Sequence, residues 1–485
     1  MDAQVKLKPT DEQVLILDKI GKESENLQIN ALAGTGKSAT LKMADQTFEP
    51  DLPVLYLVFN KRNAEEAIES EEFRPFDWDE FTGTKIQTIN ACGHGVWKSK
   101  AHSTLVVNAK KVNELFRQHI APFKKDDQRD AWDEWPNIKQ AVELAKALGY
   151  IPDGKFLDVK RLCDWDTLND TCDEPLSALA RSITNEVLHK SIKHAFKGHI
   201  DFNDQVYMPA MFGGTFPKFP LVMVDEAQDF SPVNHVMVEK LARGRLITVG
   251  DDNQSIYGFR GAMPGSMARL LSKFSMSQAD LSISFRCPQA VVEAVRWRVP
   301  NFKWIRTGGI VSEIERPTLD GIKDNSAIIC RNNAPLFSLA LRLLANGRAV
   351  RVHGSDMGPR IVTIMRKLGP EFMSQESLYS AIDDWEGEHL EKGSKTAHDV
   401  AECMRVFAST GPTLKHAIAY VDVIFEQEGT IELLTGHKAK GMEWNRVYFL
   451  DPFLIGKGEQ EMNLRYVIMT RAKQELYMIN TRDIP

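Results

Sequence analysis

The stretch INALAGTGKSAT, from Ile29 to Thr40, constrains the fold more than any other part of the sequence. An apolar strand end turns through small residues into a predicted helix and meets the pattern GxxxxGK[ST], with Ala31 in place of the first glycine. Backbone N–H groups of such a loop, and of the helix that follows it, point at phosphates. The stretch therefore predicts a nucleotide-binding α/β domain. A glycine-rich turn without a ligand is the alternative, which the complete GTGKS disfavours.

Two side chains of this loop are predicted to act on the nucleotide. Lys37 can reach the β- and γ-phosphate oxygens, and the hydroxyl of Ser38 can ligate Mg²⁺. The predicted nucleotide-binding residues of the loop are Ala31, Ala33, Gly34, Thr35, Gly36, Lys37, Ser38 and Ala39. The loop predicts binding but does not specify the reaction.

A second signal lies in FPLVMVDEAQDF, where an apolar strand runs directly into a cluster of carboxylates. Open parallel sheets hold their ligands at the carboxyl ends of their strands. We therefore predict that Asp225 holds Mg²⁺ and that Glu226 orients and deprotonates the attacking water. An acidic helix cap is the alternative, but it would not need the apolar strand before it.

Further motifs follow in a fixed order, and together they carry a family resemblance. They are DEAQD, VGDDNQSIYGFRGA at Val249–Ala262, SFRCP at Ser284–Pro288, TGHKAKGMEWNRV at Thr435–Val447 and NLRYVIMTRAK at Asn463–Lys473. The series resembles that of the superfamily-one UvrD/Rep/PcrA-type DNA helicases. Three stretches resemble the F-box helicase-like branch more closely than UvrD itself: LAGTGKS, YLVFNKRNAEEA and SFR. The motifs extend from Gln13 to Lys473, and so many in one order are highly specific.

The resemblance implies ATP and Mg²⁺ as cofactors and assigns further roles at the nucleotide. Gln13, in PTDEQ, is expected to read the adenine edge, although a polar helix start capped by Thr10 is equally compatible. The other implied roles are adenine packing for Phe285, γ-phosphate sensing for Gln254, ribose contact for Glu443 and arginine fingers for Arg286 and Arg471. The UvrD type commonly has Arg where Ala39 stands, so the strictness of ATP specificity stays open.

Single-stranded DNA is the partner that the resemblance implies. The residues that resemble the lining of the single-strand channel are Phe59, Asn60, Thr88, Tyr257, Phe259, Arg260, Thr435 and His437. Aromatic rings suit such a channel because every base has a π face. Core packing is the alternative for Phe59 and Phe259; for Phe259 the flanking glycines and arginine favour the channel. His437 could equally be a helix-end histidine without a ligand, and Asn90 stands where the family often has His.

The positions of the motifs predict the fold class and the domains. Apolar strands alternate with helical stretches, which predicts an α/β protein with two RecA-like parallel-sheet P-loop domains. Two mainly helical segments without motifs resemble the inserted subdomains 1B and 2B, the second much smaller than in UvrD-type enzymes. The predicted parts are 1–94 and 203–284 for domain 1A, 95–202 for 1B, 285–354 and 430–485 for domain 2A, and 355–429 for 2B.

The composition and the N-terminal sequence limit the cellular location and the kinds of partner that we expect for this protein. The N-terminus lacks the blocks of a signal peptide, and no apolar run approaches the ~20 residues that span a bilayer. Six cysteines are scattered singly, and the net charge of −6 argues weakly against wholesale coating of nucleic acid. We therefore expect an intracellular, cytoplasmic monomer without membrane contact, and no nuclease domain after Arg471.

The predicted function is that of an ATP-dependent DNA helicase and single-strand translocase acting on single-stranded and tailed duplex DNA. ATP between the two core domains would draw them together and hydrolysis would release them; the resemblance implies 3′-to-5′ movement. A single-strand-stimulated ATPase switch, which senses ends or displaces bound proteins without unwinding, is the alternative. An ABC-type or recombinase ATPase is disfavoured because no LSGGQ-like signature is present.

Overall fold

The computed structural model describes residues 8–101, 104–354 and 357–484, in two compact units. Unit 1 is Met1–Leu32 with Gly36–Ser282, and unit 2 is Ala33–Thr35 with Ile283–Pro485. The predicted domain limits at residues 1, 355 and 485 lie outside the described residues. Within the described ranges, no helix combines the length and the apolar character needed to cross a membrane. The six cysteines are buried free thiols.

Unit 1 is built on a parallel sheet. Its strands are β1 (Leu27–Ala31), β2 (Val54–Val58), β3 (Thr84–Thr88), β4 (Val106–Val107), β5 (His199–Ile200), β6 (Phe219–Val224), β7 (Ala242–Gly250) and β8 (Ser277–Leu281). Six of them pair in the order β3-β2-β6-β7-β1-β8, and β4 pairs with β5. The strands β2 and β6 are almost continuously apolar because helices cover both faces of such a sheet.

The register of this sheet explains why distant motifs meet. In β1 and β7, Asn30 lies opposite Gly250, and in β2 and β6, Leu57 lies opposite Val224. The phosphate loop after β1, the carboxylates after β6 and the GDDNQ stretch after β7 therefore start at one edge. That edge is the carboxyl end of the sheet, where ligands of open α/β sheets bind.

The helices of unit 1 cover the sheet and form a separate helical segment. They are α1 (Asp11–Lys22), α2 (Lys37–Asp45), α3 (Lys61–Glu69), α4 (Ile89–Ala101), α5 (Lys111–Ile120), α6 (Lys125–Asp133), α7 (Trp135–Leu148), α8 (Trp165–Thr171), α9 (Ala178–Phe196), α10 (Asp204–Phe212), α11 (Pro232–Leu241) and α12 (Ser266–Lys273). The predicted 1B segment holds α5 to α9. Its core is shared with α4 and α10, through Trp97, Phe116 and Tyr207.

A buried ionic group ties this helical segment to the start of α10. The Nζ atom of Lys111 lies 2.5 Å from Oδ2 of Asp204. The Nζ atom of Lys146 lies 2.5 Å from Oδ2 of Asp201 and 2.8 Å from Oδ1 of Asp204. All four side chains are buried, so the two carboxylates offset the cost of removing two ammonium groups from water.

Unit 2 repeats the architecture with a second parallel sheet. Its strands are β9 (Ile283–Ser284), β10 (Lys303–Trp304), β11 (Ile310–Glu313), β12 (Ser326–Cys330), β13 (Val350–Val352), β14 (Ile431–Thr435), β15 (Trp444–Leu450) and β16 (Ala472–Ile479). The sheet order is β11-β16-β15-β12-β14-β13, and β9 pairs with β10. The helices are α13 (Gln289–Ala294), α14 (Asn333–Ala345), α15 (Met357–Leu368), α16 (Gln375–Glu391), α17 (Ala397–Ala408), α18 (Leu414–Phe425), α19 (Gly436–Ala439) and α20 (Glu459–Met469).

The helices α15 to α18 occupy the predicted 2B segment and pack directly on the rest of unit 2. The ring of Phe337 in α14 lies 5.5 Å from those of Phe407 in α17 and Phe425 in α18, centroid to centroid. One apolar core includes these helices and the strands β12 to β14. The fold class, two parallel-sheet α/β units with helical segments between their motifs, is confirmed; the insert boundaries stay predictions.

Candidate nucleotide and nucleic-acid sites

Lys37 and Ser38, at the end of the phosphate loop, and the carboxylates after β6 form one group in unit 1. The helix α2 begins at Lys37, behind Gly36, whose φ of +80° lies in the left-handed region that favours glycine. The Nζ atom of Lys37 lies 2.9 Å from Oε1 of Glu226, and the Ser38 hydroxyl donates to Oδ2 of Asp225 at 3.4 Å. The predicted phosphate, metal and base residues are therefore brought together.

Burial makes the charges of this group strongly interdependent. Burial and the neighbouring Glu226 raise the pKa of Asp225 to about 6, although Lys37 opposes this. Burial alone would lower the pKa of Lys37, but Glu226, Asp225 and Asp251 outweigh it and raise that pKa. The lysine is therefore held as a cation, and the buried carboxylates have an excess of negative charge.

The same group has the donor set that Mg²⁺ prefers. Magnesium binds hard oxygen ligands and retains several waters, commonly with one or two carboxylates and the phosphates of a substrate. The hydroxyl of Ser38 and the carboxylate of Asp225 supply such oxygens, and Tyr56 donates to the same Oδ2 atom at 3.2 Å. A cation here would also compensate the buried carboxylates, so the residues fit the predicted metal.

A hydrogen-bonded path leads from this group to the end of β7. The side-chain amide of Gln228 donates to Glu226, and its Oε1 atom accepts from the backbone N–H of Asp251 at 3.1 Å. The amide of Gln254 donates to Oδ2 of Asp251 at 2.7 Å. Lys37 and Gln254 are thus joined through three intermediates. Sequence reasoning gave no role to Asp251; its place directly after a buried strand was the available signal.

Both ends of the Gln13 side-chain amide form hydrogen bonds within unit 1. Its Oε1 atom accepts from the N–H of Thr10 at 2.9 Å, which completes a capping box at the start of α1. Its Nε2 group donates to Thr40 at 3.0 Å, and the residue is buried. The helix-start alternative is therefore present, while contact with adenine stays a prediction. Ala39, the next residue but one after Lys37, is exposed.

Arg286 and Glu443, two predicted nucleotide residues of unit 2, form an ion pair, and Phe285 contacts the phosphate loop. The Nε group of Arg286 lies 2.5 Å from Glu443, which also lies 3.5 Å from Lys473. Burial would raise the pKa of Glu443, but Arg286 and Lys473 outweigh it and lower that pKa. Phe285 is joined through its N–H to the carbonyl of Gly34, 2.8 Å away.

Arg471, the second predicted finger, is inside unit 2. It is 1% exposed, and its guanidinium donates to the carbonyl oxygens of Val467 at 2.9 Å and Met442 at 3.2 Å. These hydrogen bonds hold the side chain within unit 2, and its role as a finger stays a prediction.

Four of the predicted DNA residues form an aromatic cluster in unit 1, which we define as Phe59, Tyr257, Phe259 and Arg260. The rings of Phe59 and Tyr257 are parallel within 3°, with centroids 6.1 Å apart. The guanidinium of Arg260 lies 5.5 Å from the ring centroids of both Tyr257 and Phe259. Phe59 is 38% exposed and Phe259 47%, so core packing does not explain either ring.

The other predicted DNA residues have structural roles as well. Asn60 caps α3 by accepting from Asn63, and Thr88 accepts from the N–H of Ala91 at the start of α4. In unit 2, Thr435 is buried before α19, and His437 is half-buried within that helix. These contacts neither require nor prevent DNA binding.

An exposed aromatic side chain near this part of unit 1 was missed by sequence reasoning. Asn90 donates to the carbonyl of Phe202 at 2.9 Å, and the Phe202 side chain is largely exposed. The motifs of the sequence give no role to the stretch DFND, residues 201–204. Its aromatic residue between polar ones was the available signal.

Comparison with known proteins decides the family. Residues 15–275 match the profile of the UvrD/REP helicase N-terminal domain, which is more than half of the chain, and residues 374–483 match the UvrD-like helicase C-terminal domain. The chain belongs to the UvrD/Rep helicase family. The resemblance carried by the motifs is thereby confirmed.

Two relatives of this UvrD/Rep-family chain are F-box helicases by name. F-box DNA helicase protein 1 of Schizosaccharomyces pombe (strain 972 / ATCC 24843) is 24% identical over 97% of this chain and 57% of its own length. F-box DNA helicase 1 of Gallus gallus is 24% identical over 98% of this chain and 49% of its own length. The chain thus spans about half the length of the curated relatives it matches.

Among solved structures, the helicase nonstructural protein 10 of an arterivirus is similar over 96% of this chain and 61% of its own. The TM-score is 0.36 and the sequence identity is 14%. A similarity of this size carries no argument about the activity of a UvrD/Rep-family member.

Proposed function

We propose that this chain is an ATP-dependent DNA helicase that moves along single-stranded DNA in the 3′-to-5′ direction. The observation that carries the proposal is the group of Lys37, Ser38, Asp225 and Glu226, hydrogen-bonded onward to Gln254. Membership of the UvrD/Rep family and the names of the two F-box relatives support it.

The proposed hydrolysis assigns one task to each side chain. Lys37 exchanges Glu226 for the β- and γ-phosphate oxygens, because an anionic ligand competes for the same ammonium group. Glu226, freed of its ion pair, accepts a proton from the water that attacks the γ-phosphorus, while the bond between that phosphorus and the bridging oxygen to the β-phosphate breaks. Ser38 and Asp225 would hold Mg²⁺, which supplies charge neutralisation at the phosphates.

The proposed motor step couples this exchange to the DNA contacts. The hydrogen-bonded path from Glu226 ends at Gln254. Tyr257 of the aromatic cluster lies three residues after Gln254 in the chain. Ring stacking contributes about 1 to 3 kcal/mol per base without sequence preference, which suits a translocase. The finger roles of Arg286 and Arg471 are carried over from the family and would stabilise charge in the transition state.

The test is single-turnover strand separation on partial duplexes with either a 3′ or a 5′ single-stranded tail, with a trap for free enzyme. We expect unwinding of the 3′-tailed substrate by a monomer, and none by Lys37→Ala. Unwinding only from a 5′ tail would reverse the proposed direction. Single-strand-stimulated ATPase without strand separation would identify the chain as an ATPase switch that does not unwind.

A further inference from the structure

A stretch of unit 2 combines cations and tryptophans without any acidic residue. It is AVRWRVPNFKWIRTGG, residues 294–309, which we call the tryptophan segment. It holds Arg296, Arg298, Lys303 and Arg306 in a chain whose net charge is −6. None of these residues has a role in the proposed ATP or DNA contacts.

The structure buries three apolar residues of this segment and exposes three of its cations. Its buried anchors are Val295, Val299 and Phe302. Arg296, Lys303 and Arg306 are exposed. Arg298 is different, because its guanidinium contacts Glu459 and donates to Asn463 at 2.6 Å, so we assign it to the fold. The segment therefore presents three cations on the surface of unit 2.

Two arginines lie against the tryptophans of this surface. The guanidinium carbon of Arg296 lies 5.1 Å from the ring centroid of Trp304, and that of Arg465 lies 5.7 Å from Trp297. Trp297 is nevertheless 47% exposed. A large ring held half in water, with a cation fixed beside it, is typical of a binding surface because tryptophan and arginine are enriched there.

The chemistry of the surface favours nucleic acid over an acidic protein. Both ligands carry negative charge that would attract the cations, but only nucleic acid offers stackable rings at regular spacing along a line of phosphates. Guanidinium groups also bind phosphate in a bidentate manner.

We propose that the tryptophan segment together with Arg465 is a second nucleic-acid-binding surface, at which the cations meet backbone phosphates and Trp297 packs on a base. It adds a contact on unit 2 to the aromatic cluster of unit 1. It requires neither ATP hydrolysis nor unwinding, so it can be tested even if the proposed helicase activity fails.

The experiment measures the affinity of the full chain for labelled single-stranded and duplex DNA by fluorescence anisotropy, without ATP, at several salt concentrations. Each phosphate contact contributes about 0.7 to 0.9 to the slope of log affinity against log salt. The triple variant Arg296→Gln, Lys303→Gln, Arg306→Gln should therefore reduce the slope by roughly 2 to 3. Trp297→Ala should weaken binding at least several-fold with little change in slope, because a ring releases no counterion.

The chain offers matched controls for both variants. Trp78 is 68% exposed and has Lys85 over its ring at 4.2 Å, but its neighbours Asp77, Asp79 and Glu80 are acidic. Trp78→Ala should leave DNA affinity unchanged. A triple Lys→Gln variant at the exposed residues Lys139, Lys160 and Lys415 makes the same change in net charge. It should change the slope by much less than the segment variant does.

Two results would overturn the proposal. One is a segment variant whose slope and affinity equal those of the charge control on both DNA forms. The other is a combination of two observations: Trp297→Ala binds DNA as tightly as wild type, and the triple variant loses as much affinity for polyglutamate as for DNA. That combination would identify a surface for acidic proteins. Melting temperatures of all variants must match wild type, which excludes misfolding as the cause.

Discussion

At the scale of single residues, Lys37 and Glu226 form an ion pair at the proposed phosphate site. The 2.9 Å contact satisfies both charges inside a buried group. Under the proposed mechanism, each residue acts on the nucleotide only after this ion pair has broken.

Substitution of either residue should separate binding from hydrolysis. Lys37→Ala is expected to abolish turnover and weaken nucleotide binding, since the phosphates lose their cation. Glu226→Gln should retain nucleotide while the single-strand-stimulated rate falls about 10²- to 10⁴-fold, the usual contribution of a general base. Steady-state ATPase and binding of a fluorescent nucleotide check both. Near-normal ATPase in Glu226→Gln would exclude Glu226 as the base.

The sequence predicted that Lys37, Asp225 and Glu226 would lie close together, but it did not predict the hydrogen bonds that each predicted site residue makes. The three residues lie close together because neighbouring parallel strands end at one edge of the sheet. The hydrogen bonds of Gln13 to Thr40 and of Arg471 to Val467 depend on side-chain conformations and local packing in the fold. No pattern in the sequence encodes those conformations.

At the scale of elements, α11 contributes a histidine that should make stability depend on pH. Burial, Arg269 and Lys273 lower the pKa of His235 to about 4, against 6.5 for a free side chain. Below pH 6.5 the unfolded chain binds a proton that the folded chain does not, so the contribution of His235 to stability is lost as the pH falls toward 4.

We therefore expect His235→Gln to flatten this dependence, because glutamine can replace the contact with Ser266 without titrating. Melting temperatures of both proteins at pH 7, 6 and 5 give the comparison. Wild type should lose more stability than the variant between pH 7 and 5. Parallel curves would mean that the histidine is not held neutral.

The buried ionic group between α5, α7 and α10 should be costly to break. Lys146→Met leaves buried carboxylates with only Lys111 to balance them, and loss of one partner of a buried pair typically costs about 3 to 5 kcal/mol. Lys139→Met on the same helix removes an exposed pair with Glu143 and should cost less than about 0.5 kcal/mol. Denaturant unfolding of both variants measures the difference. Similar midpoints would show that the buried group adds little.

At the scale of the whole molecule, the sequence predicted two parallel α/β units because each strand carries its own apolar run and each motif marks a strand end. It could not predict what the helices of residues 357–429 would pack against. An amphipathic helix has the same pattern on an independent insert as on a shared core. Likewise, nothing in the loop sequence indicates that Ala33–Thr35 groups with unit 2.

The shared core leads to a prediction about deletion. A short Gly/Ser linker in place of residues 357–429 would expose Phe337 and the apolar faces of β12 to β14. We expect the truncated chain to aggregate or lose cooperative melting of unit 2, and to lose ATPase. Calorimetry and ATPase assays test this. A well-folded, active deletion variant would show that these helices form a removable insert.

In the hydrogen-bonded path between Lys37 and Gln254, the side-chain amide of Gln228 has a defined orientation. The NH₂ group of that amide is a hydrogen-bond donor and faces the carboxylate of Glu226. Its oxygen is an acceptor and faces the backbone N–H of Asp251. A flipped amide would place its NH₂ group against the N–H of Asp251 and its oxygen against the carboxylate of Glu226, so the observed orientation is favoured. Gln228→Glu, equal in shape, puts two carboxylates face to face and should lower the stimulation of ATPase by single-stranded DNA; unchanged stimulation would mean that the signal travels elsewhere. A reduced stimulation would support communication between the proposed phosphate site and Gln254 through Gln228, whose amide is held in one orientation at both of its ends.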